Sequence, residues 1–208
     1  MMKVLGIVAL FMVLGAHGDL QCEHRAPNVP KEWIDMQTSC VSAVRSHVME
    51  ELRAAMQYMA MGAHFSRDQI NRPGFANLFF KAASEEREHA IKLIEYLLMR
   101  GELTSEVSNM ITRNMSPNVT NWASGASALK DALMLEASVT KKIRNLIKVC
   151  EDDPANFNDY HLVDYLTGDF LTEQYEGQRD LAGKLSSLEK LMNKHGALGE
   201  FLFDKKLM

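Results

Sequence analysis

The chain has 208 residues, of which 47% are hydrophobic and 24% charged, and its formal net charge is −4. This balance is typical of one globular domain with a sizeable core and argues against intrinsic disorder. The acidic net charge also argues against nucleic-acid binding, which needs a basic face to neutralise phosphates. Cations are the more natural partners.

The first eighteen residues predict a secretory signal peptide. Lys3 precedes the apolar run VLGIVALFMVLGA, and small residues stand at the −3 and −1 positions before Asp19. A membrane anchor is the alternative interpretation, but a spanning helix needs about 20 apolar residues. We therefore expect residues 1–18 to be cleaved, residues 19–37 to form an N-terminal extension, and the protein to be secreted.

Secretion would expose three cysteines to an oxidising lumen. Cys22, Cys40 and Cys150 are an odd number, which indicates one internal disulfide and one cysteine left for another chain. Three buried free thiols, the alternative, suit a cytosolic protein better. The sequence NVT at Asn118 is an N-glycosylation acceptor that the secretory route would make usable.

Apolar residues at three- and four-residue spacing predict that almost everything after the extension is helical. The sequence NRPG separates the first two helices, and Gly101 ends the second. Interior glycines of the fourth helix cost about 1 kcal/mol each relative to alanine and argue against a straight helix. The predicted helices are 36–65, 73–101, 124–150, 160–195 and a short C-terminal helix after Gly196.

The connection from Glu102 to Trp122 lacks a sustained period and predicts a long loop. Some 20 extended residues reach about 65 Å, whereas a helix of about 27 residues is only about 40 Å long. This loop can therefore travel the full length of the other helices. The sequence predicts an all-α four-helix bundle over residues 38–208, with a long crossover between the second and third helices and a short fifth helix.

An acidic residue interrupts the inward face of three helices: Glu51, Glu86 and Glu136. His89 follows Glu86 by three residues, so their side chains lie side by side. Converging buried carboxylates repel one another, and a bound cation removes the conflict. Carboxylates with one imidazole favour iron or manganese over structural zinc. The alternative is that E-x-x-H occurs by chance and that Glu51 and Glu136 are surface residues.

The segments SEEREHAIKLI, ALMLEASV, LTEQ and GALGEFLFDKK resemble the ferritin family, in particular its secreted insect-type heavy chains. The resemblance extends over residues 38–206. It implies a subunit that oxidises Fe(II) with dioxygen at a di-iron centre and stores ferric mineral inside a 24-subunit shell. The fourth helix offers Glu173 and Gln174 but no second E-x-x-H, which resembles storage ferritins rather than di-iron oxygenases.

The resemblance also implies a role for each site residue. Glu51, Glu86 and His89 would hold the first iron. Glu86 would bridge to a second iron held by Glu136. The residues expected to lie beside these ligands are Glu85, Tyr58 and Gln174. Asp164 matches one acidic position of the family's three-fold channel, but Thr167 stands where a glutamate is usual, so the route by which iron enters is less certain.

Two other functions compete with this interpretation: an oxygenase acting on an organic substrate, and a shell or mineral-nucleating subunit without ferroxidase activity. We also expect ferritin light-chain-type subunits as partners.

With the long crossover, the start of the first helix and the end of the third meet at one end of the bundle, which predicts a Cys40–Cys150 disulfide. Cys22 would then be left to join a neighbouring subunit.

Overall fold

The computed structural model describes residues 30–102, 114–151 and 158–208. A compact unit extends from Glu32 to Met208. Helices account for the regular secondary structure of the described ranges, and none of these helices is long and apolar enough to cross a bilayer. The predicted signal peptide and Cys22 lie outside the described residues, so both stay predictions.

The first two helices, α1 (Thr38–Ser66) and α2 (Pro73–Met99), pack against each other. Pro73 occupies the first turn of α2, where its fixed φ and missing N–H are tolerated. Gly101 follows α2 with a φ of +81°, and its N–H donates to Leu98 O at 3.0 Å. This left-handed glycine closes the helix as predicted.

The third and fourth long helices carry the other half of the bundle. They comprise α3 (Gly125–Glu151), then α4 (Tyr160–Tyr165), a π-helical turn (Leu166–Phe170) and α5 (Leu171–His195). Gly168 lies inside the π-helical turn. The predicted fourth helix is therefore continuous along the chain but irregular at one of its glycines, as expected.

The C-terminal helix α6 (Ala197–Leu207) begins after Gly196 and contacts the start of α2. The buried Asp204 side chain accepts a hydrogen bond from the Phe75 N–H at 3.0 Å. A Cβ on Gly74 would lie 2.0 Å from the Asp204 carbonyl oxygen, so only glycine permits this approach. The C-terminal helix α6 therefore caps the start of α2.

A disulfide joins Cys40 to Cys150 with their Cα atoms 4.8 Å apart. The start of α1 and the end of α3 thus lie at the same end of the bundle, which confirms the predicted crossover topology. The crossover is tied to α1 at Gln57, whose Oε1 accepts from the Asn118 N–H at 3.0 Å. Asn118 itself is exposed.

Two apolar clusters fill the bundle. The disulfide-end core includes Val44, Val48, Ala90, Leu93, Val139 and Cys150. The far-end core includes Tyr58, Phe65, Phe75, Ala83, Leu129 and Ala132. On α2, Ala83 belongs to the far-end core and Ala90 to the disulfide-end core, so Glu86 and His89 fall at the boundary. Glu136 occupies the same boundary on α3, and Glu51 lies on α1 just before it, between Val48 and Ala54 of the disulfide-end core.

Candidate metal centre

Polar side chains replace apolar ones at the boundary between the two cores, and each long helix contributes at least one. The buried members are Glu51 and Tyr58 of α1, Glu86 and His89 of α2, Glu136 of α3, and Gln174 of α5. The structure therefore brings together six of the seven residues that the sequence predicted for the site. Helix phase, rather than loop conformation, sets their inward direction.

Three of these residues form a cluster suited to a metal ion. One ligand atom from each of Glu51, Glu86 and His89 lies within 4.8 Å of the other two. The His89 Nδ1 atom is 3.9 Å from Glu51 Oε2 and 4.0 Å from Glu86 Oε1. These separations are too long for direct hydrogen bonds and suit groups arranged around a shared cation.

The cluster also contains buried polar atoms without a hydrogen-bond partner. They are both carboxylate oxygens of Glu51, Glu86 Oε2 and His89 Nδ1. Leaving such atoms unpaired costs about 1–3 kcal/mol each, more when the group is charged. A divalent cation would satisfy Glu51 Oε2, Glu86 Oε2 and His89 Nδ1 at once, so the donor set fits a hard or borderline metal such as iron.

Glu136 lies beside this cluster and is held from two sides. The Tyr58 hydroxyl donates a short hydrogen bond to Glu136 Oε1. The Gln174 side chain also hydrogen-bonds to Glu136, which partly offsets the rise that burial causes in the Glu136 pKa. Gln174 Oε1 accepts from the Thr140 hydroxyl at 2.8 Å, which turns the amide nitrogen toward the carboxylate. In this arrangement Gln174 acts on Glu136 as a hydrogen-bond donor.

The carboxylates carry uneven pKa values. Burial raises the pKa of Glu86 well above its usual range, and the neighbouring Glu51 and Glu136 raise it further. Burial also raises the pKa of Glu51, but contacts with His47, Glu86 and His89 outweigh it, so the net pKa is lowered. The pKa of Glu136 is raised by burial and by Glu51. Without metal, Glu86 therefore holds its proton more tightly than Glu51 does.

Two contacts made by the cluster residues His89 and Glu51 were not predicted from the sequence. Glu173 Oε2 lies 2.7 Å from His89 Nε2, the ring nitrogen on the far side from the cluster. Such carboxylate–histidine pairs orient metal-bound imidazoles. His47 Nε2 lies 2.8 Å from Glu51 Oε1, and both side chains are buried. His47 and Glu51 are four residues apart on α1, and this spacing could have identified His47 as a neighbour of Glu51 from the sequence.

Glu85 is placed differently from the other predicted residues. Its half-exposed side chain pairs with Lys81 at 3.2 Å. Glu85 nevertheless lines a cavity of about 540 Å³ between α2 and α5, together with Glu86, His89, Glu136, Glu173 and Gln174. Glu85 is thus at the wall of the passage to the cluster rather than inside it.

The sequence comparisons agree with this fold and site. The profile of the ferritin-like domain matches residues 41–191. The chain belongs to the ferritin family. It is similar to the ferritin heavy chain of Trichoplusia ni, with 60% identity over 98% of this chain and 94% of that one. It is also similar to the ferritin heavy chain of Drosophila melanogaster, with 54% identity over 98% of each.

A solved ferritin extends the similarity to three dimensions. The crystal structure of Trichoplusia ni secreted ferritin matches with a TM-score of 0.85 and 62% identity, covering 90% of this chain and 97% of that one. Membership of the ferritin family assigns the chain to iron storage, and its identity to heavy chains supports the role of the oxidising subunit.

Proposed function

We propose that this ferritin subunit oxidises Fe(II) with dioxygen at a di-iron site inside its own helical bundle. The observation that carries the proposal is the cluster of Glu51, Glu86 and His89, which is buried, has unpartnered ligand atoms and lies within 4.8 Å. A subunit serving only to build the shell has no need to bury two carboxylates beside each other, because their repulsion destabilises the fold.

The ligand roles follow from position. Glu51 and His89 hold the first iron on its α1 and α2 sides. Glu86 lies close enough to Glu51 and Glu136 for both to raise its pKa, and, as the family resemblance implies, it would bridge the two irons. Glu136 holds the second iron. Two ferrous ions held side by side supply two electrons to one dioxygen molecule, and the protein provides the geometry.

The remaining site residues position these ligands or face the passage. Tyr58 and Gln174 hydrogen-bond Glu136 and fix the oxygen that it offers. Glu85 pairs with Lys81 at the exposed wall of the cavity. An exposed ion pair of this kind contributes at most about 1 kcal/mol, so Glu85 is released toward a passing or second-site iron at little cost.

The assembly follows from the family and from the predicted secretion. The subunit forms a 24-subunit shell together with ferritin light-chain-type subunits, and ferric mineral accumulates in its cavity. Secretion after removal of residues 1–18 permits glycosylation of the exposed Asn118 and formation of an intersubunit disulfide by Cys22. The similarity to a secreted ferritin supports this route.

Oxygen uptake during addition of Fe(II) tests the proposal. The purified shell consumes oxygen without any organic substrate, whereas Glu86→Ala and His89→Ala lose the fast phase and still assemble. Glu95→Ala, an exposed glutamate of the same helix, is the matched control and keeps the wild-type rate. Zinc inhibits because it binds N/O sites more tightly than ferrous iron.

Three results would contradict the proposal. Wild-type initial rates in His89→Ala under limiting iron would show that the site is wrongly assigned. Absence of oxygen uptake by the wild-type shell would favour the structural role, and uptake that required an organic substrate would favour the oxygenase.

A further inference from the structure

We infer that His47 is a positioning residue of the metal site: its imidazole holds one oxygen of Glu51 and thereby presents the other oxygen to the metal. This inference rests on the proposed metal site and adds a residue to it.

The geometry assigns the two oxygens of Glu51 to different neighbours. Oε1 lies 2.8 Å from His47 Nε2, and Oε2 lies 3.9 Å from His89 Nδ1 on the other side. Both oxygens are buried, and the Glu51 side chain is 0% exposed. The carboxylate is therefore shielded from bulk solvent, and rotation about its last torsion is limited by protein groups.

His47 is well placed to be that restraint. It lies one helical turn before Glu51 on α1 and is 3% exposed, so its ring has little freedom. The N–H of His47 does not point directly at Glu51 Oε1, since neither His47 Nε2 nor Glu51 Oε1 completes a hydrogen bond. The contact is nevertheless at hydrogen-bond distance, and such contacts in metal-free sites align when the ligand settles on a metal.

The arrangement has a counterpart on the other side of the cluster. His89 Nε2 contacts Glu173 Oε2 at 2.7 Å, which leaves His89 Nδ1 facing the cluster. The α1 ligand and the α2 ligand are each held by an outer group, a histidine for the carboxylate and a carboxylate for the histidine. Outer groups of this kind typically affect metal affinity by 10- to 100-fold.

Cobalt(II) binding to the assembled full chain tests the inference, with visible absorption as the readout of ligand geometry and titration as the readout of affinity. Binding at this site is defined as the part lost in Glu86→Ala. We expect His47→Leu to weaken that binding by about 10- to 100-fold and to change the absorption spectrum. His47→Gln, which keeps an N–H donor, should retain most of the affinity and the wild-type spectrum.

His64→Leu is the matched control, because His64 is also buried on α1 but contacts Arg67 and Trp122 instead of the carboxylates. It should bind cobalt as the wild type does. If His47→Leu does not assemble, His47→Asn gives the same test, because its amide is too short to reach Glu51.

The outcomes separate this inference from the proposed site. Wild-type affinity and spectrum in His47→Leu or His47→Asn would overturn the role of His47 and leave the site intact. Equal losses in His47→Leu and His47→Gln would also overturn it, since ring shape rather than a donor would then be responsible. Equal binding by the wild type and Glu86→Ala would overturn the site itself.

Discussion

Replacing Glu86 with glutamine should stabilise the metal-free protein and weaken its stabilisation by metal. The substitution keeps the shape of the side chain and removes a carboxylate whose pKa is raised by burial, by Glu51 and by Glu136. In the absence of metal this carboxylate destabilises the folded protein, because it must either repel its neighbours or take up a proton. In the presence of metal, the proposed role of this carboxylate is that of a ligand.

The size of the effect follows from the geometry. Ligand atoms of Glu51 and Glu86 lie within 4.8 Å, and two like charges at that distance repel by about 3.5 kcal/mol at an effective dielectric constant of 20. Protonating Glu86 at pH 7 instead costs about 3.4 kcal/mol, since its usual pKa is 4.5 and each unit is worth 1.36 kcal/mol. Both routes give about 3 kcal/mol per subunit as the gain available to Glu86→Gln.

The gain should depend on pH in a defined direction. The folded protein holds the Glu86 proton more tightly than the unfolded chain does. The free energy of unfolding therefore falls as pH rises from about 4.5 toward the raised pKa. Glu86→Gln lacks this dependence. Its advantage at pH 7 should shrink to under about 1 kcal/mol at pH 5.

Thermal unfolding of chelator-treated shells at one fixed scan rate measures the difference in stability between the wild type and Glu86→Gln. A gain of about 3 kcal/mol corresponds to a rise of about 6–12 °C for a domain of this size. Zinc should then raise the midpoint of the wild type more than that of the variant. Glu95→Gln, at an exposed position of the same helix, should change neither midpoint. A lower metal-free midpoint for Glu86→Gln, or equal zinc stabilisation of both proteins, would refute the reasoning.

Three other variants each test one contact. Replacing Cys40 and Cys150 with serine opens a loop of 110 residues, for which we expect a loss of about 2–4 kcal/mol, and an unchanged unfolding midpoint would contradict this. Glu173→Gln should weaken zinc binding about tenfold or more by calorimetry, because His89 loses its charged partner, whereas equal affinity would exclude a positioning role. Asp204→Ala removes the cap of α2 at a cost of about 1 kcal/mol, and faster hydrogen exchange in the first turn of α2 is the expected readout.

The helices were predictable because their apolar positions repeat with the helical period over about seven turns. The first helix, predicted at 36–65, is observed at Thr38–Ser66, and the third, predicted at 124–150, at Gly125–Glu151. The length of the connection predicted the crossover topology, because it can travel the full length of the bundle, and that topology in turn predicted the Cys40–Cys150 disulfide. Periodicity and chain length carry this information without side-chain detail.

The inner residues of the site were predictable for a related reason: an acidic residue on an apolar face is visible in the sequence. Outer contacts are not, because they depend on rotamers and on pairs far apart in the chain. Glu173 and His89 are 84 residues apart. The family resemblance placed Glu85 beside the ligands, yet the 100° step between successive helical residues turns it toward the exposed Lys81.

The disulfide makes a covalent ring of residues 40–150, and every proposed iron ligand of α1, α2 and α3 lies on that ring. Helices α5 and α6 lie outside it, and α5 contributes the outer groups Glu173 and Gln174. Because Cys150 is synthesised before α5, the ring can close before the last long helix exists. The carboxylates of the proposed metal site can thus be confined to one closed loop early in biosynthesis, and the later docking of α5 completes their surroundings without setting their connectivity.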